Sequence, residues 1–238
     1  MHNTPRSTPQ QSKIATSHTM NSSQIFLSQH VSSMIVPVYL THAHCNTSRL
    51  VYALLDSQSD TSFILDKTLD SFSIPSEHTI LNLSTMHGSQ SVPTRKSYGF
   101  QVKGFNCDNS ITLPPLFSRP QIPSNYAHIP TAAFCDKFEH LKSVSSRLMP
   151  LQNVEIGLLL GYDVSFVHQP QEVISSKNNS DPYAIRTPLG WCVIGSTGRT
   201  STSNKASCNR ITCSKLSSIV HKTEATEASP KHLSYTHT

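Results

Sequence analysis

The feature that most restricts the fold is a hydrophobic run that ends on an acid. Leu50-Val51-Tyr52-Ala53-Leu54-Leu55 leads without a break into Asp56-Ser57-Gln58-Ser59-Asp60. The run has the length of a strand, and its apolar side chains fall at odd and even positions alike. Both faces of that strand must therefore be covered. A carboxylate at the end of such a strand loses part of its hydration, at a cost of several kcal/mol unless it is paired or hydrogen-bonded. Two uses justify that cost. An Asp followed by Ser at a strand end is a common turn former or helix cap. The other use is half of a catalytic pair, as in aspartic peptidases. There, two close carboxylates share a proton because both cannot ionise; one acts as base on a water and the other as acid toward the substrate carbonyl.

The rest of the chain reads mostly as strands. Met34 to Leu40 is a compact β-branched run, with Pro37 favouring an edge position. Thr61 to Phe72 reads as a short helix capped by Asp60 or Thr61. Thr79 to Met86 alternates, His87-Gly88-Ser89-Gln90 has turn chemistry, and Ser97 to Phe105 alternates again, which together predict a hairpin. Pro114 to Pro150 is proline-stiffened, with Thr131 to Leu148 helical in character. Val154 to Leu160 is a second strong apolar run, ended by Gly161-Tyr162-Asp163. Tyr183 to Thr187 and Gly190 to Gly195 read as two closing strands. Residues 1–33 and 197–238 are Ser/Thr-rich without apolar period and read as disordered, leaving one folded domain over 34–196.

Composition narrows the functional classes. Charged residues are only 14% of the chain, too few for a self-repelling disordered polymer. The formal charge of +5 is scattered rather than gathered in basic runs, which argues against nucleic acid as a partner. No stretch approaches the ~20 apolar residues of a membrane-spanning helix, and the N-terminal region lacks a signal-peptide core. A cytoplasmic, intracellular setting follows, with the six cysteines as reduced thiols. None is spaced as C-x-x-C, so no metal and no cofactor is expected. His42, His44 and Cys45 lie close together but lack a second ligand pair, and read as an exposed turn. Cys135 or Cys192 as a nucleophile would need a His base that nothing in the sequence places.

Only one strand-then-Asp-Ser arrangement is present. Asp163 is the nearest rival, but no hydroxyl residue follows it. An Asp pair therefore requires a homodimer with two-fold symmetry, each copy contributing Asp56.

Val51-Tyr52-Ala53-Leu54-Leu55-Asp56-Ser57-Gln58-Ser59-Asp60-Thr61-Ser62-Phe63-Ile64 resembles the catalytic-loop segment of the retropepsin-like peptidases encoded by BEL/Pao retrotransposons. Three further blocks agree in order. Ser33 to Val38 resembles the first strand of that family, Ile156 to Asp163 its second apolar-Gly element, and Ala184 to Gly195 its closing T-x-L-G-W block. The resemblance implies an all-β, closed retropepsin barrel with one or two short helices and a flap hairpin. It implies endoproteolysis of an extended peptide or polyprotein by an Asp pair. Asp56 maps onto the catalytic carboxylate, Ser57 onto a bracing hydroxyl, and Gln58 and Ser59 onto the supporting loop. Asp60 maps onto an acid that contacts substrate main chain, and His87, Gly88 and Ser89 onto the flap. Gly161 maps onto the glycine that lets the second apolar strand pack beneath the loop. The sequence departs from the pattern at Gln58, where most aspartic peptidases carry Gly. That departure sustains an alternative, a catalytically inactive remnant serving as a dimerisation or peptide-binding module.

Overall fold

The structure, a computed structural model, describes residues 31–85 and 88–196 and the backbone of 211–214. It is built mainly of strands. In chain order they are β1 (Val31–Ser32), β2 (Ile35–His42), β3 (Cys45–Leu55), β4 (Phe63–Leu65), β5 (Glu77–Thr85), β6 (Gly88–Ser97) and β7 (Phe100–Gly104). There follow β8 (Ile111–Thr112), β9 (Leu116–Arg119), β10 (Ile156–Leu160), β11 (Glu172–Ile174), β12 (Tyr183–Thr187), β13 (Gly190–Ser196) and β14 (Ile211–Ser214). Three α-helices of about one turn, α1 (Asp66–Asp70), α2 (Ala132–Cys135) and α3 (Lys142–Ser145), join three 3₁₀ stretches. The helices are thus more numerous than expected, though each is short.

Ten strands form one sheet in the order β14-β5-β6-β9-β4-β10-β3-β2-β7-β8, and four form another in the order β1-β13-β12-β11. No ladder among the described residues joins β8 back to β14, so the sheet is open where a closed barrel was expected. Val36, Val38, Leu40, Val51, Ala53 and Leu160 fill its main core from strands on either side of β3.

The centre of the large sheet positions the candidate site. β10 lies between β3 and β4, parallel to β3 (Leu160 opposite Leu55) and antiparallel to β4 (Leu159 opposite Phe63). The chain from Asp56 to Ser62 therefore crosses over the end of a strand that arrives about 100 residues later. This threading also corrects the helix expected over Thr61 to Phe72. Phe63 and Ile64 are fully buried and pair with β10 on one side and β9 on the other. Those long-range ladders override the local helical pattern, and helix begins only at Asp66.

Four other expectations shift. Pro37 lies on an inner strand, since β2 pairs with both β3 and β7. The β7 ladder starts at Val38, so the missing Pro37 N–H interrupts no pairing. The hairpin partner of β5 is Gly88–Ser97, whereas Phe100–Gly104 pairs with β2. Order begins before Met34, because Val31 and Ser32 pair with Ser196 and Gly195. In the tail read as disordered, Ile211–Ser214 pairs with β5; the rest of that tail, like residues 1–30, lies outside the described residues.

The proline-rich stretch from Pro114 to Pro150 is integral to the fold. β9 enters the large sheet, and Phe134, Cys135, Leu141 and Val144 pack against Ala184, Trp191 and Val193 of the small sheet in a second core. The helix expected over Thr131 to Leu148 is instead broken into α2, a 3₁₀ turn and α3.

Candidate active site

Asp56 is held where β3 ends. Its amide donates to the Leu160 carbonyl at 3.0 Å, and its own carbonyl accepts from Ser59 N–H at 3.1 Å. Its carboxylate is half-buried, and Oδ1 accepts the Gln58 amide at 2.9 Å. Burial pushes the Asp56 carboxyl above the usual aspartate range. The Gln58 hydrogen bond and the nearby His168 pull the other way without cancelling it.

The carboxylate opens into a cleft of about 510 Å³. β2 and β3 form one wall through Ile35 and Leu54; Pro123, Asn125 and His128 from the proline-rich stretch form the other. Ser33 N–H bonds the His128 carbonyl at 3.0 Å, and Tyr126 OH bonds the Gln152 carbonyl, so this second wall is anchored at both ends. No acid other than Asp56 lines the cleft.

The loop itself is clasped from below. Ser59 is buried; its hydroxyl donates to the Thr61 carbonyl at 2.7 Å and its carbonyl accepts from Tyr162 N–H at 2.8 Å. Ser62 donates through its amide to Asp163 Oδ2 at 3.0 Å and through its hydroxyl to Oδ1 at 2.5 Å. Gly161 N–H donates to the same hydroxyl at 3.0 Å. A methyl group on Gly161 would sit 2.7 Å from the Thr61 carbonyl oxygen and 2.8 Å from that of Ser59. Only a hydrogen at that position lets β10 lie this close to the loop. His168 packs on Tyr162 and bonds the Gly161 carbonyl through Nε2 at 3.1 Å, while its buried Nδ1 has no partner.

Gln58 does not strain the loop. Ser73 is the one non-glycine residue with positive φ among the described residues, so the backbone at Gln58 lies in a region open to any residue. Ser57 and Gln58 are exposed, and the Ser57 hydroxyl has no hydrogen-bond partner among the described residues. Asp60 is also exposed and lies on a separate cleft of about 400 Å³ with Lys96, Phe117 and Asp163. Gly88 and Ser89 begin the second arm of the β5–β6 hairpin and do not line the Asp56 cleft. His87, at the hairpin tip, lies outside the described residues.

The other sequence candidates have structural roles. His42 is buried, with Nε2 on the Tyr98 carbonyl at 2.8 Å and Nδ1 accepting from His44 N–H at 3.2 Å. Burial pushes the thiols of Cys135 and Cys192 up to about 11 and about 12, so both stay protonated and weakly nucleophilic near neutral pH. No helix among the described residues is long and apolar enough to cross a membrane.

Sequence reasoning missed Ser62 and the role of Asp163, whose link spans 101 positions, and missed the wall formed by Asn125 and His128. The one available signal was the acid directly after Gly161-Tyr162. No family model, no curated protein and no solved structure matches this chain.

Proposed function

We propose that the chain is an aspartic endopeptidase of the retropepsin-like, BEL/Pao type, active as a homodimer in which each copy supplies one Asp56. The observation that carries this reading is the setting of Asp56. It is a half-buried carboxylate with a raised proton affinity, at the mouth of a cleft, on a loop clasped by a strand threaded beneath it. A carboxyl whose proton affinity is raised is suited to sharing a proton with a twin. Since Asp56 is the only acid of its cleft among the described residues, the pair calls for a second copy. In the mechanism proposed, one carboxylate takes a proton from water as that water attacks the scissile carbonyl, and the other donates a proton to the carbonyl oxygen. In this reading the exposed Ser57 hydroxyls brace one loop against the other. A protein-derived peptide or polyprotein is the substrate class, and no cofactor takes part.

The test is cleavage of a peptide library by the full chain at mildly acidic pH, with Asp56→Asn as control. Cleavage that falls by about 10²–10⁴-fold in the variant supports the reading. Cleavage that survives the substitution removes Asp56 from the mechanism. Absence of cleavage together with a strictly monomeric sedimentation profile supports the inactive alternative in its peptide-binding form instead.

A further inference from the structure

A second cleft, of about 350 Å³, lies where the ends of β2 and β7 meet the β12–β13 hairpin. It shares no lining residue with the Asp56 cleft. Arg147 and Arg186 line it; among the described residues no Asp or Glu does, although Arg186 is paired with Glu172 behind it.

Both groups are held in place. The guanidinium carbon of Arg147 lies 5.5 Å from the centre of the Trp191 ring, and its backbone is tied by Asn106 Nδ2, which donates to the Arg147 carbonyl at 3.3 Å. A cation held over an aromatic face in this way does not spend its N–H donors on the ring. Arg147 makes no ion pair among the described residues. Arg186 is oriented from behind: its Nε donates to Glu172 Oε2 at 3.1 Å and its Nη1 to Gln171 Oε1 at 2.7 Å. Pro37, Phe105, Leu189 and Trp191 give the cleft apolar walls. Apolar surface beside the two cations lowers the local dielectric and strengthens their attraction for an incoming anion. A planar fork on a fixed stack matches the paired oxygens of a carboxylate or a phosphate ester.

We infer that this cleft binds a small oxyanion, carboxylate or phosphate monoester, carried on an apolar body that seats against Trp191. The site is independent of Asp56 and of the peptidase reading.

Trp191 is the only tryptophan of the chain, so its fluorescence reports on the cleft directly. Titration of the full chain with cyclohexylacetate and with cyclohexyl phosphate is expected to give a saturable change, with a Kd on the order of 1 mM or below for at least one of them. Which compound binds more tightly distinguishes the two oxyanion sources. By calorimetry, Arg147→Gln and Arg186→Gln each weaken binding about tenfold, and raised salt weakens it further. Arg147 is exposed and Arg186 half-buried in a surface ion pair with Glu172, so thermal melts of both variants are run beside the titrations to confirm that they are folded. Asp56→Asn leaves the binding unaltered. The inference is overturned by the absence of a saturable response to both compounds, by affinity that persists in both arginine variants, or by equally tight binding of neutral cyclohexylmethanol.

Discussion

Ser62 and Asp163 close on each other as a two-point clasp, amide and hydroxyl against the two carboxylate oxygens. The clasp ties the far end of the Asp56 loop to the residue that follows β10, and the Ser62 hydroxyl also satisfies the Gly161 amide. Replacing Ser62 by Ala leaves that buried amide without an acceptor and removes one bond from Asp163. Ser62→Ala is expected to lower stability by about 1–3 kcal/mol in denaturant unfolding. Asp163→Asn keeps one acceptor, for the Ser62 amide, but puts an NH2 donor opposite the Ser62 hydroxyl, which must turn to accept it; its stability should fall between that of Ser62→Ala and the wild type.

Gln58 poses a sharper question, because in the proposed reading it stands where most aspartic peptidases carry Gly. Its backbone is not in the left-handed region, so glycine there relieves no strain. Gln58→Gly widens the freedom of the unfolded loop instead, and is expected to cost about 0.5–1 kcal/mol in thermal or denaturant unfolding. A gain in stability would show that the glutamine is held in a strained conformation.

Asp56 links folding to pH. Burial disfavours its ionised form, so the folded chain keeps the Asp56 proton to higher pH than the unfolded chain does. The unfolded state then binds fewer protons, and this group's contribution to stability falls as pH rises from its ordinary 3.8 through the raised value, staying lower beyond it. Asn at this position cannot ionise yet still offers an oxygen to the Gln58 amide. Asp56→Asn is therefore expected to be more stable than the wild type near neutral pH, with the difference shrinking below about pH 4. Parallel melting curves across that range check the sign.

The second core provides a test of whether the proline-rich stretch belongs to the fold. Phe134 is buried against the small sheet with Leu141, Val144 and Val193. Phe134→Ala is expected to cost about 3–5 kcal/mol, a large part of the 5–15 kcal/mol typical of a whole domain. A cost below about 1 kcal/mol would mean that the stretch packs loosely on a domain able to stand without it.

Local pattern was enough to find the strands that carry the site. The apolar runs around Val36, Ala53 and Leu159, and the closing pair around Ile185 and Val193, are each buried in the structure as their composition requires. Pattern failed where a residue's fate is decided by a distant partner. Phe63 and Ile64 have a helical context but become strand because β9 and β10 flank them. Ser97 to Phe105 alternates as a hairpin arm should, yet its Phe100–Gly104 segment is taken by β2. Asp56 was legible because a greasy strand ends on it; Asp163 was not, because the hydroxyl it binds lies 101 positions away. Closure of the sheet was the remaining expectation, and it depends on ladders that no local period encodes.

The threading of β10 between β3 and β4 also sets an order of events. The acid at position 56 emerges from the ribosome early, but the strand that seats its loop is made only once synthesis has passed residue 160. Closing so long a chain segment is slow compared with forming a hairpin. A nascent or truncated chain ending before that point holds the Asp56 side chain without its scaffold, so the loop is seated only after β10 has been made.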